Sequence, residues 1–168
     1  KWYTYDNMGQ VTSVKVKKGE GTEETINTSY RYEDVSIYRG KGNDTQSVNN
    51  AYVIKETYAD GTVLSETYKD HKGNIVRSFE NGLYTDMTYN SQGEMITKWM
   101  MGKTLSATDG LLELYTYDVK GNLTAVITDP DYITGTSTTG YHIRENSTDE
   151  YGNVQQGSIV IKNVYDSD

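Results

Sequence analysis

Residues 115–124 read YTYDVKGNLT, and residues 3–12 read YTYDNMGQVT. Each has a tyrosine pair, then an aspartate, then a glycine three positions on. Asp or Asn at the first position of a type I turn can accept a hydrogen bond from the backbone two residues further along, and a glycine at the fourth supplies the left-handed residue of a G1 bulge. Asp-x-x-Gly is therefore a hairpin tip. The flanks agree: Tyr115 and Tyr117 alternate onto one strand face, and Leu123, Ala125 and Ile127 are expected to share one on the returning strand.

Aligning on that spacing gives five turns: Asp6 with Gly9, Asp70 with Gly73, Asn90 with Gly93, Asp118 with Gly121 and Asp149 with Gly152. Two weaker relatives, Tyr58-Ala59-Asp60-Gly61 and Tyr30-Arg31-Tyr32-Glu33-Asp34, keep the aromatic lead-in without the same spacing. The glycines from Gly73 onward are separated by 20, 28 and 31 residues, so the unit repeats while its connections vary. A lone hairpin is barely stable in water, and successive hairpins must pair edge to edge. The expected fold is all-β, a run of consecutive antiparallel β-hairpins forming an extended, twisted or spiralling repeat sheet in a single domain over residues 1–168. Residues 18–50 are expected to diverge as long polar loops, around Gly19–Glu24 and Arg39–Asp44. The Ile159-Val160-Ile161 run reads as a strand covered on both faces.

Composition sets the outer limits. Leu, Ile, Val and Phe make up only 31 of 168 residues, a level that in a charged chain suggests disorder. Against this stand 16 tyrosines, and disordered chains are poor in aromatics. The apolar layer of a folded protein must then be largely tyrosine, which favours strands, as do Thr and Val. The net charge of −8 argues against a nucleic-acid partner, since no basic face is available for phosphates. No apolar run is long enough for a helical membrane span. Cysteine is absent, which excludes disulfides and thiolate metal sites.

YTYDNMGQVT, YTYDVKGNLT, TYNSQGEMIT and YKDHKGNIV resemble the YD repeat, or Rhs repeat, in which an aromatic residue, Tyr-Asp, two variable positions and Gly-Asn precede a strand. That family includes bacterial Rhs and wall-associated polymorphic toxins, shell proteins of insecticidal toxin complexes, and teneurins. The match is good at Tyr5-Asp6-Gly9 and Tyr117-Asp118-Gly121-Asn122, and partial at Asp70-Gly73-Asn74, Tyr89-Asn90-Gly93 and Asp149-Gly152-Asn153. It covers residues 1–12 and about 58–168. The resemblance implies a spiralling hairpin strip that, in long members, encloses a toxin or other cargo. The expectation is a piece of a larger exported, extracellular or cell-surface bacterial protein, with the remainder of that protein or its cargo domain as partner.

Candidate chemistry is thin beside this. His71 sits inside a turn, and His142 is the only other histidine. No G-x-S-x-G elbow presents a serine nucleophile. Acidic pairs such as Glu23-Glu24, Asp129 with Asp131 and Asp149-Glu150 are expected among 24 acids, and none continues into a calcium loop. Gly19-x-Gly21 and Gly40-x-Gly42 lack the context of a nucleotide loop. The expectation is a non-enzymatic scaffold with no cofactor and no metal. The alternative is a carbohydrate or cell-surface binding module that stacks sugars on Trp2, Tyr84, Trp99 and Tyr132. Open sheet edges carry a risk of self-association.

Overall fold

The computed structural model describes residues 1–18, 21–42, 44–129, 131–134, 139–142, 147–148, 150–151, 154–155 and 157–162. The strands are β1 (Trp2–Tyr5), β2 (Val11–Lys18), β3 (Thr22–Tyr38), β4 (Thr45–Tyr58), β5 (Val63–Lys69), β6 (Ile75–Glu80), β7 (Leu83–Tyr89), β8 (Met95–Met101), β9 (Gly110–Tyr117), β10 (Leu123–Thr128), β11 (Asp131–Thr134), β12 (Thr139–His142), β13 (Ser147–Thr148), β14 (Val154–Gln155) and β15 (Ile159–Lys162). β1 to β10 lie side by side in chain order and β15 adds to β10, giving one open antiparallel sheet of 11 strands. β11 pairs with β12, and β13 with β14, as two small separate ribbons. The all-β hairpin sheet read from the sequence is therefore the fold. Among the described residues there is no helix, and so none long and apolar enough to cross a membrane.

Five hairpins share one irregularity. The register slips by one residue on the returning strand, leaving Thr12, Leu64, Val76, Ile96 and Thr124 as the extra residue of a β-bulge. Each lies three positions after its turn glycine. A bulge of this kind turns two successive side chains to the same face and bends the strand. Thr12 and Ser13 both reach Thr4, and Val76 and Arg77 are both buried. This corrects the simple alternation expected for β10: Leu123 pairs with Tyr117, whereas Ala125 pairs with Thr116 and Ile127 with Leu114, on the opposite face.

The core lies on one face. Val53, Tyr68, Arg77, Asp86, Trp99 and Leu112 are successive cross-strand partners from β4 to β9, and all six are buried. Their cover comes from the β3–β4 hairpin itself. At Asp34 the pairing breaks, with Glu33 opposite Ala51 but Val35 opposite Val48, and residues 35–48 continue as an arm that folds across the sheet. The Arg77 guanidinium donates to the Ser36 carbonyl (2.9 Å), and the Tyr38 amide donates to Asp86 (2.7 Å). At the tip, the Gly42 amide donates to the Ala107 carbonyl (2.6 Å) in the loop between β8 and β9. Ile37 and Val48 of the arm pack with Ala51, Val53, Tyr68 and Val76, while Tyr38 packs on Trp99, Met101 and Leu112.

The long polar loops expected over residues 18–50 are thus corrected. Apart from the short connections, that segment forms the two longest strands of the sheet. Its residues alternate too weakly to announce a strand because the arm has a polar outer side and a narrow apolar inner side. Ile159 and Ile161 also depart from expectation: they are 51% and 59% exposed, so β15 is covered on one side at most.

Candidate functional site

The turns at Asp6, Asp70, Asn90 and Asp118 lie at one end of the sheet, and their geometry explains the motif. In the turns at Asp6, Asp70, Asn90 and Asp118, the glycine amide donates to the carbonyl of the first residue, at 3.0–3.2 Å. The glycines carry φ of 79°, 88°, 88° and 85°, the left-handed conformation that the G1 position requires. One oxygen of the first side chain accepts two backbone amides. Asp118 Oδ1 receives Lys120 (2.8 Å) and Asn122 (2.9 Å), and Asp70 Oδ1 receives Lys72 (2.9 Å) and Asn74 (2.8 Å). A longer acid would overshoot both amides.

The residue after the glycine closes the ring. Asn74 and Asn122 donate from Nδ2 to the second oxygen of Asp70 and Asp118, both at 2.9 Å. At the third turn the roles are exchanged, with Asn90 donating and Glu94 accepting. These bonds hold the Asp118 carboxyl below its usual pKa, the Asn122 side chain contributing most. Tyr58–Gly61 proves to be the same turn: the Gly61 amide donates to the Tyr58 carbonyl (3.0 Å), with Asp60 capping Thr62 from inside. The Asp149 and Gly152 turn lies outside the described residues.

The tyrosine before the turn has a different task. Tyr89 donates its hydroxyl to the Ile75 carbonyl (2.7 Å) and Tyr117 to the Met95 carbonyl (2.9 Å); Tyr30, inside β3 rather than beside a turn, makes the equivalent bond to the Val11 carbonyl (2.8 Å). Every acceptor lies two residues past the glycine of the neighbouring hairpin, immediately before its bulge. The ring thus staples one hairpin to the next. At the corresponding place before Asp70 the chain has Lys69, and no such bond is made. Burial raises the pKa of all three tyrosines, keeping the hydroxyl a donor at neutral pH.

A third element is the buried pair beneath the arm. Arg77 binds both oxygens of Asp86 at 2.6 Å, with side-chain exposures of 6% and 0%. Burial alone would lower the Arg77 pKa, but the hydrogen bonds and charge of Asp86 outweigh it and the value is raised. Nearby, Arg31 bridges Glu33 and Glu66 at 2.8 and 2.7 Å, holding the Glu33 carboxyl low.

Of the four proposed stacking aromatics, the three whose side chains are described, Trp2, Tyr84 and Trp99, do not form a patch. Trp99 is 1% exposed and donates from its indole to the Ser106 carbonyl (2.8 Å), so it is a core residue and that expectation is corrected. Gly110 sits directly against its ring. Tyr84 is half-buried and packs on Phe79 at 4.6 Å. Trp2 is exposed on β1, at the far end of the strand order, with Lys17 over its ring. The Tyr132 side chain lies outside the described residues. His71 is exposed at its turn and lines a cleft of about 350 Å³ between the arm and the turns, with Gln46, Asn49 and Lys72. Among the described residues no group of three or more His, Asp or Glu side chains is placed to hold a metal ion.

The sequence reading missed Asn81-Gly82, a two-residue loop with φ of 52° and 77° that joins β6 to β7. Asn-Gly between alternating strands is the strongest short hairpin signal and was there to be used. The Arg77–Asp86 pair carried no such mark. No protein-family model matches the chain, and a search of curated proteins finds no match.

Proposed function

We propose that this chain is a non-catalytic structural module of YD-repeat type, working in an exported or cell-surface protein as part of a β-scaffold that encloses or presents a toxin or another domain. One observation carries the reading. At the Asn90 and Asp118 repeats the polar atoms of the motif are spent internally, the first residue on its own turn and the tyrosine on the preceding hairpin. A motif used in this way builds an array of units joined to their neighbours, the arrangement of repeat proteins. The reading frame around this segment tests it. Further Tyr-Asp-x-x-Gly units alongside, with a separate variable domain, support the scaffold. A complete short gene holding only this segment behind a signal peptide overturns it.

A further inference from the structure

We propose that the cleft between the arm and the turns at Asp70 and Asn90 is a binding site for a small organic carboxylate. The site stands apart from the scaffold reading, because it needs the arm, which the repeated motif alone does not make. One wall is the returning half of the arm, with Gln46, Ser47 and Asn49 exposed on it. The other is the tip of the Asp70 hairpin, where His71 and Lys72 occupy the two variable positions of the turn. Val48, Val76 and Thr88, all buried, form the floor. At about 350 Å³ the space lies at the small end of ligand cavities.

The balance of donors and acceptors sets the ligand class. The side-chain acceptors of the two turns are already spent. Asp70 takes the amides of Lys72 and Asn74 and the Asn74 side chain, and Asn90 Oδ1 takes the amides of Gln92 and Glu94. The donors are not. The Lys72 ammonium makes one long bond, 3.4 Å to the Ser91 carbonyl, and pairs with no acid among the described residues. The side chains of Gln46, Asn49 and His71 likewise make no hydrogen bond to a described residue.

The floor adds a buried donor. Thr88 is 1% exposed, and its hydroxyl is bonded to that of Thr97. Two hydroxyls carry two protons and this bond uses one. With Thr97 donating, the Thr88 proton is left at the cleft with no acceptor among the described residues, a costly state for a buried group. A ligand oxygen supplies that acceptor. Surplus donors around one ammonium call for an anion, and one full positive charge matches one negative charge. The apolar part of the floor, Val48 and Val76, favours a carbon skeleton over an inorganic ion. The Asp118 turn provides an internal control: Lys120 holds the position of Lys72, but no arm residue lines the groove beside it.

The test titrates the whole chain with N-acetylglycylglycine, followed by amide NMR. Saturable shifts are expected at residues 46–49, 71–72 and 88, with residues 119–121 unchanged. N-acetylglycylglycinamide, which keeps the shape and loses the charge, is expected to bind at least tenfold more weakly, as is inorganic phosphate. Lys72→Gln is expected to weaken binding roughly fivefold, the worth of an exposed ion pair. Thr88→Val is expected to weaken it tenfold or more and Thr88→Ser to restore it, with thermal melting confirming that both variants fold.

No shift at residues 46–49 and 71–72 with millimolar acid would overturn the proposal. So would equal shifts at the Asp118 turn, which would mean attraction to any surface lysine. Equal affinity for the acid and its amide, or for the acid and phosphate, would remove the carboxylate as the ligand. Unchanged affinity in folded Thr88→Val would remove the buried donor and with it the site.

Discussion

Two ways of closing a hairpin lie side by side in this sheet. At Asp70, Asn90 and Asp118 the chain turns within three residues and a glycine takes the left-handed position. At Asp34 the chain instead makes a long excursion before Asn50 occupies that conformation, with φ of 52° and its amide bound to Asp34 at 2.8 Å. The same aspartate cap is kept in both. Only the material between cap and closing residue differs, and that material is the arm covering the core. A repeat turn is thus a place where a long insertion can be tolerated and then used for burial, as the slow growth of loop-closure entropy with length allows. The compact turns join neighbours; the extended one reaches across several strands.

The largest expected effect breaks the arm. Asp86→Ala removes the partner of buried Arg77 and of the Tyr38 amide together, and should cost about 3–5 kcal/mol in urea denaturation. Exchanging both charges, as Arg77→Met with Asp86→Leu, should recover most of that loss. Next comes Gly93→Val. A Cβ there meets nothing within 4 Å, so the whole cost is backbone strain at φ of 88° and should be about 1–3 kcal/mol by thermal melting. Asn50→Gly sharpens the comparison: relieving the same conformation at the long turn should not destabilise.

Asp70→Ala should cost about 0.5–2 kcal/mol, by analogy with the loss of a capping side chain. The related pH effect runs downward. Asp118 and Glu33 have folded pKa values below their unfolded ones, so their contribution is complete above the unfolded values and is lost as pH falls through the folded ones. An acid titration monitored by circular dichroism should therefore lose stability below about pH 4.

The smallest single effect is Tyr117→Phe, about 0.5–1.5 kcal/mol for one staple. Its pH counterpart runs the other way. Tyr30, Tyr89 and Tyr117 have raised folded values, so their contribution is complete below the unfolded value of 10.0 and is lost as pH rises through the folded ones. Tyrosinate absorbance should then show a subset of rings ionising late, and Tyr117→Phe should remove one of them.

The hairpin array was legible because its signals are local. Asp-x-x-Gly specifies a turn within four residues, and strand pairing follows from chain order. The arm was not, because its strands are defined by what they lie on: Ser36 and Tyr38 gain their meaning from Arg77 and Asp86, some forty residues away. Trp99 was misread for the same reason. An indole reads as a ligand platform until the Ser106 carbonyl and Gly110 are found against it. The tyrosine staples stand between these cases, since the residue is in the motif but its acceptor belongs to the previous unit.

The arm also changes how the molecule should respond to force. Staples and pairing link each hairpin only to its neighbours, so a pull on the two ends of the strip would peel strands away singly, each at low load. The bonds from Ser36 and Tyr38 to β6 and β7, and from Gly42 to the loop after β8, tie non-adjacent strands together. A strip built this way has a knot of stiffness at its centre and frays toward both ends.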